Sequence, residues 1–216
     1  LARRALTINE KTFGSDHPSI AVNFVHLAQI HSHLAQYDKT LLLQQQALAI
    51  FEKELGPNHP DTALNLNDLA LTYSKLAQYD KALERYQRAL AIYEKELGPD
   101  HPETANSLNN LALTYSYLAQ YDKALPLLQR SLAIFEKVLG PDHPDTAMVL
   151  NNLAVNYSDL AQHDKAIELH LRALKIREKI FGSDHPDTAL SLHNLGDIYS
   201  RLGQYDKALK LELRAL

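Results

Sequence analysis

Apolar residues recur along this chain at spacings of three and four. Leu66, Leu69, Ala70, Tyr73 and Leu76 form one such stripe; Ala82, Leu83, Tyr86, Ala89, Leu90, Tyr93 and Leu97 form a second. That periodicity puts each set on one face of an α-helix. A short break, Ala77-Gln78-Tyr79-Asp80, separates them. The pattern therefore predicts two antiparallel neighbours, helix A and a longer helix B reaching about Glu96. The pair then repeats. Gly14, Gly56, Gly98, Gly140 and Gly182 stand 42 residues apart, as do His17, His59, His101, His143 and His185, each followed by proline. A fixed period of this length marks a stack of similar units, each touching its neighbours, rather than a single globule.

The ends of the elements are also written in the sequence. Asn58, Asp100, Asp142 and Asp184 are expected as N-caps of the A helices, with Asp61, Glu103, Asp145 and Asp187 returning a capping-box contact. The proline between them belongs in the first turn. Helix B is expected to stop at the periodic glycine, which reaches the left-handed conformation at little cost. Alanines at one phase of each helix (Ala70, Ala112 and Ala154; Ala82, Ala124 and Ala166) let two axes approach near the low end of roughly 8–10 Å. Thr40 stands at the phase of Ala82 and Ser131 at that of a second helix B alanine, Ala89, both still small, and Pro126 is expected to cost at most a first-turn bond and to move its helix start by a residue. The layout is one array over 1–216: a partial repeat at 1–14 whose helix B covers roughly 1–13, full repeats at 15–56, 57–98, 99–140 and 141–182, and a truncated repeat at 183–216. Because the pattern is cut at both ends, the chain is expected to be a segment of a longer array.

Composition narrows the chemistry. Lys plus Arg is 22 and Asp plus Glu is 26, a net charge of −4. That balance gives no general pull toward nucleic acid or membrane. Cysteine is absent, which removes disulfides, thiolate metal sites and cysteine nucleophiles. No stretch approaches 18 apolar residues, no signal peptide is visible, and the cytoplasm is the default compartment.

The unit LNNLALTYSxLAQYDKAL, with Leu69, Ala70 and Tyr73 in helix A and Ala82, Tyr86 and Ala89 in helix B, resembles the tetratricopeptide repeat. The period of 42 resembles in particular the form found in kinesin light chains. Thr40 and the run Phe24-Val25-His26-Leu27 depart from the pattern. The resemblance implies an all-α fold, a right-handed α-solenoid of antiparallel helix pairs whose concave groove, lined mainly by A helices, binds partner peptides. Carrying the family's inward positions onto this sequence gives five rows. They are Val22, Leu64, Asn106, Met148 and Leu190; Val25, Asn67, Asn109, Asn151 and His193; His26, Asp68, Asn110, Asn152 and Asn194; Gln29, Leu71, Leu113, Val155 and Asp197; and His33, Lys75, Tyr117, Asp159 and Arg201.

The Asn rows stand out, because asparagine competes for backbone hydrogen bonds and is a poor mid-helix residue. One reading has each amide donating to and accepting from an extended peptide backbone. The other has it bonding to a neighbouring helix. Leu71, Leu113, Met148, Val155 and Tyr117 would add apolar contacts, or pack adjacent A helices. Of the cations that carboxylate-clamping relatives use, Arg201 alone has a counterpart here, so a C-terminal-tail clamp is not expected. Nor is the basic groove that kinesin light chains offer to acidic cargo.

No catalytic arrangement emerges: there is no HExxH and no phosphate-binding glycine loop. The HP histidines belong to successive stacked units about 10 Å apart, too far for a shared ion with Zn–N bonds of roughly 2.0–2.1 Å. They read as polar turn residues. No cofactor or metal is expected, and the sequon Asn156-Tyr157-Ser158 falls inside a helix. The function expected is a non-enzymatic scaffold binding a protein or peptide, with no nucleic acid and no membrane. Two alternatives stay open. One is a spacer or self-associating module, joined through Leu1, Leu6, Leu209, Leu213 and Leu216 of the terminal repeats. The other is the sensor arm of a larger signalling protein.

Overall fold

The computed structural model describes Thr12, Gly14 and residues 16–216. The expected leading helix over 1–13, with Leu1 and Leu6, otherwise lies outside the described residues. Ten helices follow in chain order: α1 Pro18–His33, α2 Tyr37–Glu54, α3 Pro60–Lys75, α4 Tyr79–Glu96, α5 Pro102–Tyr117, α6 Tyr121–Val138, α7 Pro144–Asp159, α8 His163–Phe181, α9 Pro186–Arg201 and α10 Tyr205–Ala215. Odd-numbered helices are the expected A helices and even-numbered ones the B helices. The chain is all-α, built from paired antiparallel helices in solenoid order.

Two compact units divide it, 1–114 and 115–216. In the first, α1 packs on α2, α2 on α3 and α3 on α4; in the second, α6 packs on α7, α7 on α8, α8 on α9 and α9 on α10. Each hairpin closes on small residues. Ala63, Ala70, Ala82 and Ala89 are fully buried in the first unit, and Ala147, Ala154, Ala166 and Ala173 in the second. Large side chains fill the space around them, Tyr86 and Tyr93 in α4 and Leu128 and Phe135 in α6. Thr40 keeps the small-residue phase of α2 by donating its buried hydroxyl to Gln36 O at 3.1 Å.

Three corrections to the expected ends follow from the geometry. First, the N-cap is the HP histidine and not the residue before it. His59, His143 and His185 are extended, and the Nδ1 of each accepts the N–H two residues on, from Asp61, Asp145 and Asp187, at 3.1–3.2 Å. Glu103 N–H donates to His101 in the same way. The proline fixes the first helical position, so the residue directly before it occupies the cap. The acidic residues thus fall at the second helical position, where they favour the positive helix end without closing a capping box. Second, the A–B turn is tighter than the expected four-residue break. Leu76, Ala77 and Gln78 make it alone, with Ala77 at φ +54° and Gln78 N–H donating to Tyr73 O at 2.9 Å. Ala35, Ala119 and Ala161 share this left-handed backbone, and Gly203 takes the place in the last repeat. Third, Pro126 sits at the sixth residue of α6, whose start at Tyr121 is unshifted. Its missing N–H removes the i→i−4 bond to the Asp122 carbonyl, and both residues are exposed, so water can take its place.

Helix B ends as expected: Gly98, at φ +102°, donates its N–H to Tyr93 O at 3.0 Å. The loop that follows is closed by a threonine absent from the sequence reading. Thr62, Thr104, Thr146 and Thr188, all buried, donate their hydroxyls to the carbonyls of Gly56, Gly98, Gly140 and Gly182 at 2.8–2.9 Å.

Two stability changes follow. Ala161→Gly relieves a left-handed alanine, a conformation costing roughly 1–2 kcal/mol, and loses part of that gain to the looser unfolded chain. Urea unfolding should show a net gain of roughly 0.5–1 kcal/mol. His143→Ala should cost about 1 kcal/mol in the same measurement, while His143→Asn, which keeps a cap acceptor, should cost only a few tenths.

Candidate functional site

Successive positions i, i+4, i+7 and i+11 lie on one helix face. On α3 this face carries Leu64, Asp68, Leu71 and Lys75; on α7 it carries Met148, Asn152, Val155 and Asp159; on α9 it carries Leu190, Asn194, Asp197 and Arg201. These are four of the five expected rows. In each helix the residues of this stripe are exposed or half-buried, while Leu66, Leu69, Leu150, Leu153, Leu192 and Leu195 are buried behind it. Leu64, Leu71, Val155 and Leu190 remain 39–48% exposed. On α5, Asn110 and Leu113 are half-buried and Tyr117 is exposed.

The remaining Asn row lies deeper. Asn67, Asn109 and Asn151 are only 8%, 2% and 9% exposed. Their amides link neighbours: Asn67 Oδ1 accepts from Ser107 Oγ at 3.2 Å, and Asn151 Oδ1 accepts from Asn194 Nδ2 at 2.8 Å. Asn109 Nδ2 donates to Asn110 Oδ1 at 3.4 Å. The Asn67 and Asn151 contacts join α3 to α5 and α7 to α9, so mid-helix asparagine at these two positions links neighbouring A helices, whereas the Asn109 bond stays within α5. Asn156 of the sequon is also buried, accepting from Ser116 Oγ at 2.7 Å and donating to Asn152 O at 2.9 Å.

Each unit has a pocket between A helices. In the first, a pocket of about 260 Å³ lies between α1 and α3, walled by Val22, Val25 and Leu64 over Phe51, with His26, Gln29, Asp61, Asn65 and Asp68 also lining it. Burial pushes the Asp68 carboxyl up to about 6. Asn65 is 1% exposed, and neither its Oδ1 nor its Nδ2 has a hydrogen-bond partner. In the second unit, a smaller pocket of about 160 Å³ is lined by Val155, Asp159, Asn194, Asp197 and Arg201 with Ser158, His170 and Ile198. Burial, and then the nearby Arg177 charge, lower His170 to about 4, so it is neutral near pH 7. Its Nδ1 is unpartnered. Arg201, the cation expected on this face, is tied by its Nε to Asp197 at 2.8 Å.

Asn65 and His170 were not among the expected site residues. Their signal was departure from the repeat at a buried phase. Ser107, Val149 and Ser191 of the later repeats stand where Asn65 does, with Asn23 sharing its identity in the first repeat, and Gln44, Tyr86 and Leu128 stand where His170 does. Among the described residues no group of three or more His, Cys, Asp or Glu could hold a metal ion, and no helix is long and apolar enough to cross a membrane.

Comparison with known proteins adds to this geometry. Models of the tetratricopeptide repeat match residues 1–19, 22–95, 76–137, 108–179 and 157–216. Among solved structures, BtubC (BKLC) from P. vanneervenii superposes with a TM-score of 0.85 at 27% identity, over 99% of this chain and 86% of its own. The nearly identical TPR-like repeats of a putative kinesin light chain from Podosopora anserina superpose with a TM-score of 0.78 at 30% identity, over 92% and 94%. RapI in its apo form shares the fold, with a TM-score of 0.76 at 18% identity, over 90% of this chain and 68% of its own. No curated protein sequence matches the chain.

The Asp68 shift sets a direction for stability against pH. Its folded pKa of about 6 lies above the ordinary 3.8. Between those values the folded chain keeps a proton that the unfolded chain has released, so stability falls as pH rises. The cost is absent below the window and complete above it, at roughly 2–3 kcal/mol. Asp68→Asn removes it. Urea unfolding from about pH 4 to pH 7 should show the variant gaining on the wild type by that amount, and parallel profiles would contradict the assignment.

Proposed function

The chain belongs to the tetratricopeptide repeat family, whose fold serves generically as a protein–protein interaction scaffold, and on that premise we propose that it holds an extended segment of a partner protein against the exposed stripes of its A helices. One observation carries the reading. On each of three A helices an apolar side chain at least partly open to solvent lies three or four positions from a half-buried amide: Leu113 from Asn110 on α5, Val155 from Asn152 on α7 and Leu190 from Asn194 on α9. An apolar stripe left in contact with water favours a partner that covers it. Amides beside it can both donate to and accept from a peptide backbone. Affinity then comes from main-chain bonds, and side-chain choice from the apolar steps between them. The proposal is of binding without chemistry. It extends to the kinesin-light-chain form of the repeat, supported by the 42-residue period and the likeness to the P. anserina repeats.

A second reading, self-association, is favoured by the exposed Leu209 and Leu213 of α10. One experiment separates the two. The chain is used for affinity capture from its native lysate, the captured protein is cut down to its bound segment, and its affinity is compared with that for Asn110→Ala/Asn152→Ala. Loss of two amide contacts should weaken the segment about tenfold or more with helicity unchanged. A carboxylate-terminated tail held by charge would show the stripe assignment to be wrong. Mass that grows with concentration and no captured segment would favour self-association.

A further inference from the structure

We infer that the pocket between α1 and α3 is a subsite for a lysine side chain of the bound segment, its four-carbon stem lying on Val22, Val25, Leu64 and Phe51 and its ammonium meeting Asp68 and Asn65. The inference deepens the scaffold reading and rests on it.

Three observations converge on that chemistry. The walls are aliphatic and aromatic: Val22 of α1 and Leu64 of α3 line it, and Phe51, itself buried, packs against Val25 at its base. Inside them sit two polar groups without partners. Asn65 is almost fully buried with both amide atoms unbonded, where buried polar atoms are ordinarily satisfied. Asp68 is half-buried, and among the described residues no lysine or arginine pairs with it. Finally, no cation lines the pocket; the other titratable groups are His26 and Asp61. Burial alone holds the Asp68 carboxyl partly protonated, and an arriving ammonium would restore its charge.

Lysine answers these features better than arginine. Its apolar stem lies along hydrophobic walls while the head reaches a polar end. Its compact ammonium carries three donors, enough for the carboxylate and the Asn65 carbonyl, whereas a guanidinium spreads five donors across a planar fork. Asn65 Nδ2 is left to donate to a carbonyl of the same segment. The combination occurs at one place in the array. The residues in phase with Asp68 are Asn110, Asn152 and Asn194, and the residue in phase with Asn65 in the next repeat is Ser107, which bonds to Asn67 instead. Repeated amides bind a backbone in any register; a single acidic pocket sets which register is chosen.

The test uses n-butylammonium chloride, the lysine side chain without its backbone, with n-butanol and butyrate as controls. The readout is the NMR shift of the Asn65 side-chain amide and its neighbours in the full chain. Butylammonium should bind saturably with a Kd on the order of 10 mM, as suits so small a ligand. Butanol should bind more weakly and butyrate not at all. Asp68→Asn should weaken butylammonium about tenfold. Asn65→Ser, which installs the residue of the neighbouring repeat, should weaken it less. Butanol binding as tightly as butylammonium, an unchanged affinity in Asp68→Asn, or no saturable shift would each overturn the subsite. The probe reads the pocket alone. A failed subsite therefore leaves segment capture intact, whereas a chain that binds butylammonium but captures no segment overturns the assignment to a partner.

Discussion

Everything in this molecule depends on how closely an A helix and a B helix approach. At the helix B phase of Ala82 nothing larger than threonine occurs (Thr40, Ala124, Ala166 and Ala208), and all of these but Ala208, at the last repeat, have no surface left. A small side chain at the crossing lets backbone pack on backbone. The tyrosines and leucines above and below then interdigitate at interior density. Because the same phase returns every 42 residues, each hairpin has nearly the same shape as the one before it. The stripe that an A helix turns away from its B helix is fixed by that same contact.

The connections keep this spacing by using polar groups economically. At one end a histidine caps the A helix and a threonine bonds back to the glycine carbonyl. At the other an alanine accepts left-handed geometry. Each satisfies backbone groups that a helix end leaves open. Exposed ion pairs repeat alongside: Arg88 with Glu52 at 2.6 Å, Arg172 with Glu136 at 2.6 Å and Arg214 with Glu178 at 2.5 Å, each joining successive B helices. Solvent screens such pairs and each contributes little. Their regularity reflects the stacking more than it drives it. On the scaffold reading, stripes carried by packed helices rather than loops lower the ordering cost of association.

Where the repeat departs from itself, the interior becomes polar. Asp68 and His170 are both driven toward their neutral forms by burial, and Asn65 is enclosed without a bond. A core selected only for stability would replace such groups with apolar ones. Two of these residues share the first unit's pocket, beside the apolar stripe that the scaffold reading uses. Buried polar groups left without partners call for an explanation, and a ligand that completes their hydrogen bonding is the one the proposed subsite supplies.

Periodicity alone settled the helices, their pairing and the small-residue crossings, because those follow from spacing along one chain and from side-chain volume. It also settled the B-helix stop at Gly98, since a left-handed terminus followed by proline is a local property. The caps were misplaced by one residue, because whether Asp142 or His143 meets the open N–H depends on how the proline enters the first turn. Tertiary packing gives the rows of Asn109 and Asn110 different surroundings: one residue around the helix moves an amide from a buried position to a partly open face. The polar ends of the pockets belong to that level too. Asn65 and Asp68 lie three positions apart on one helix, but Val22 and Val25 come from the preceding hairpin, and only the stacking of one repeat on the next brings the apolar walls to them.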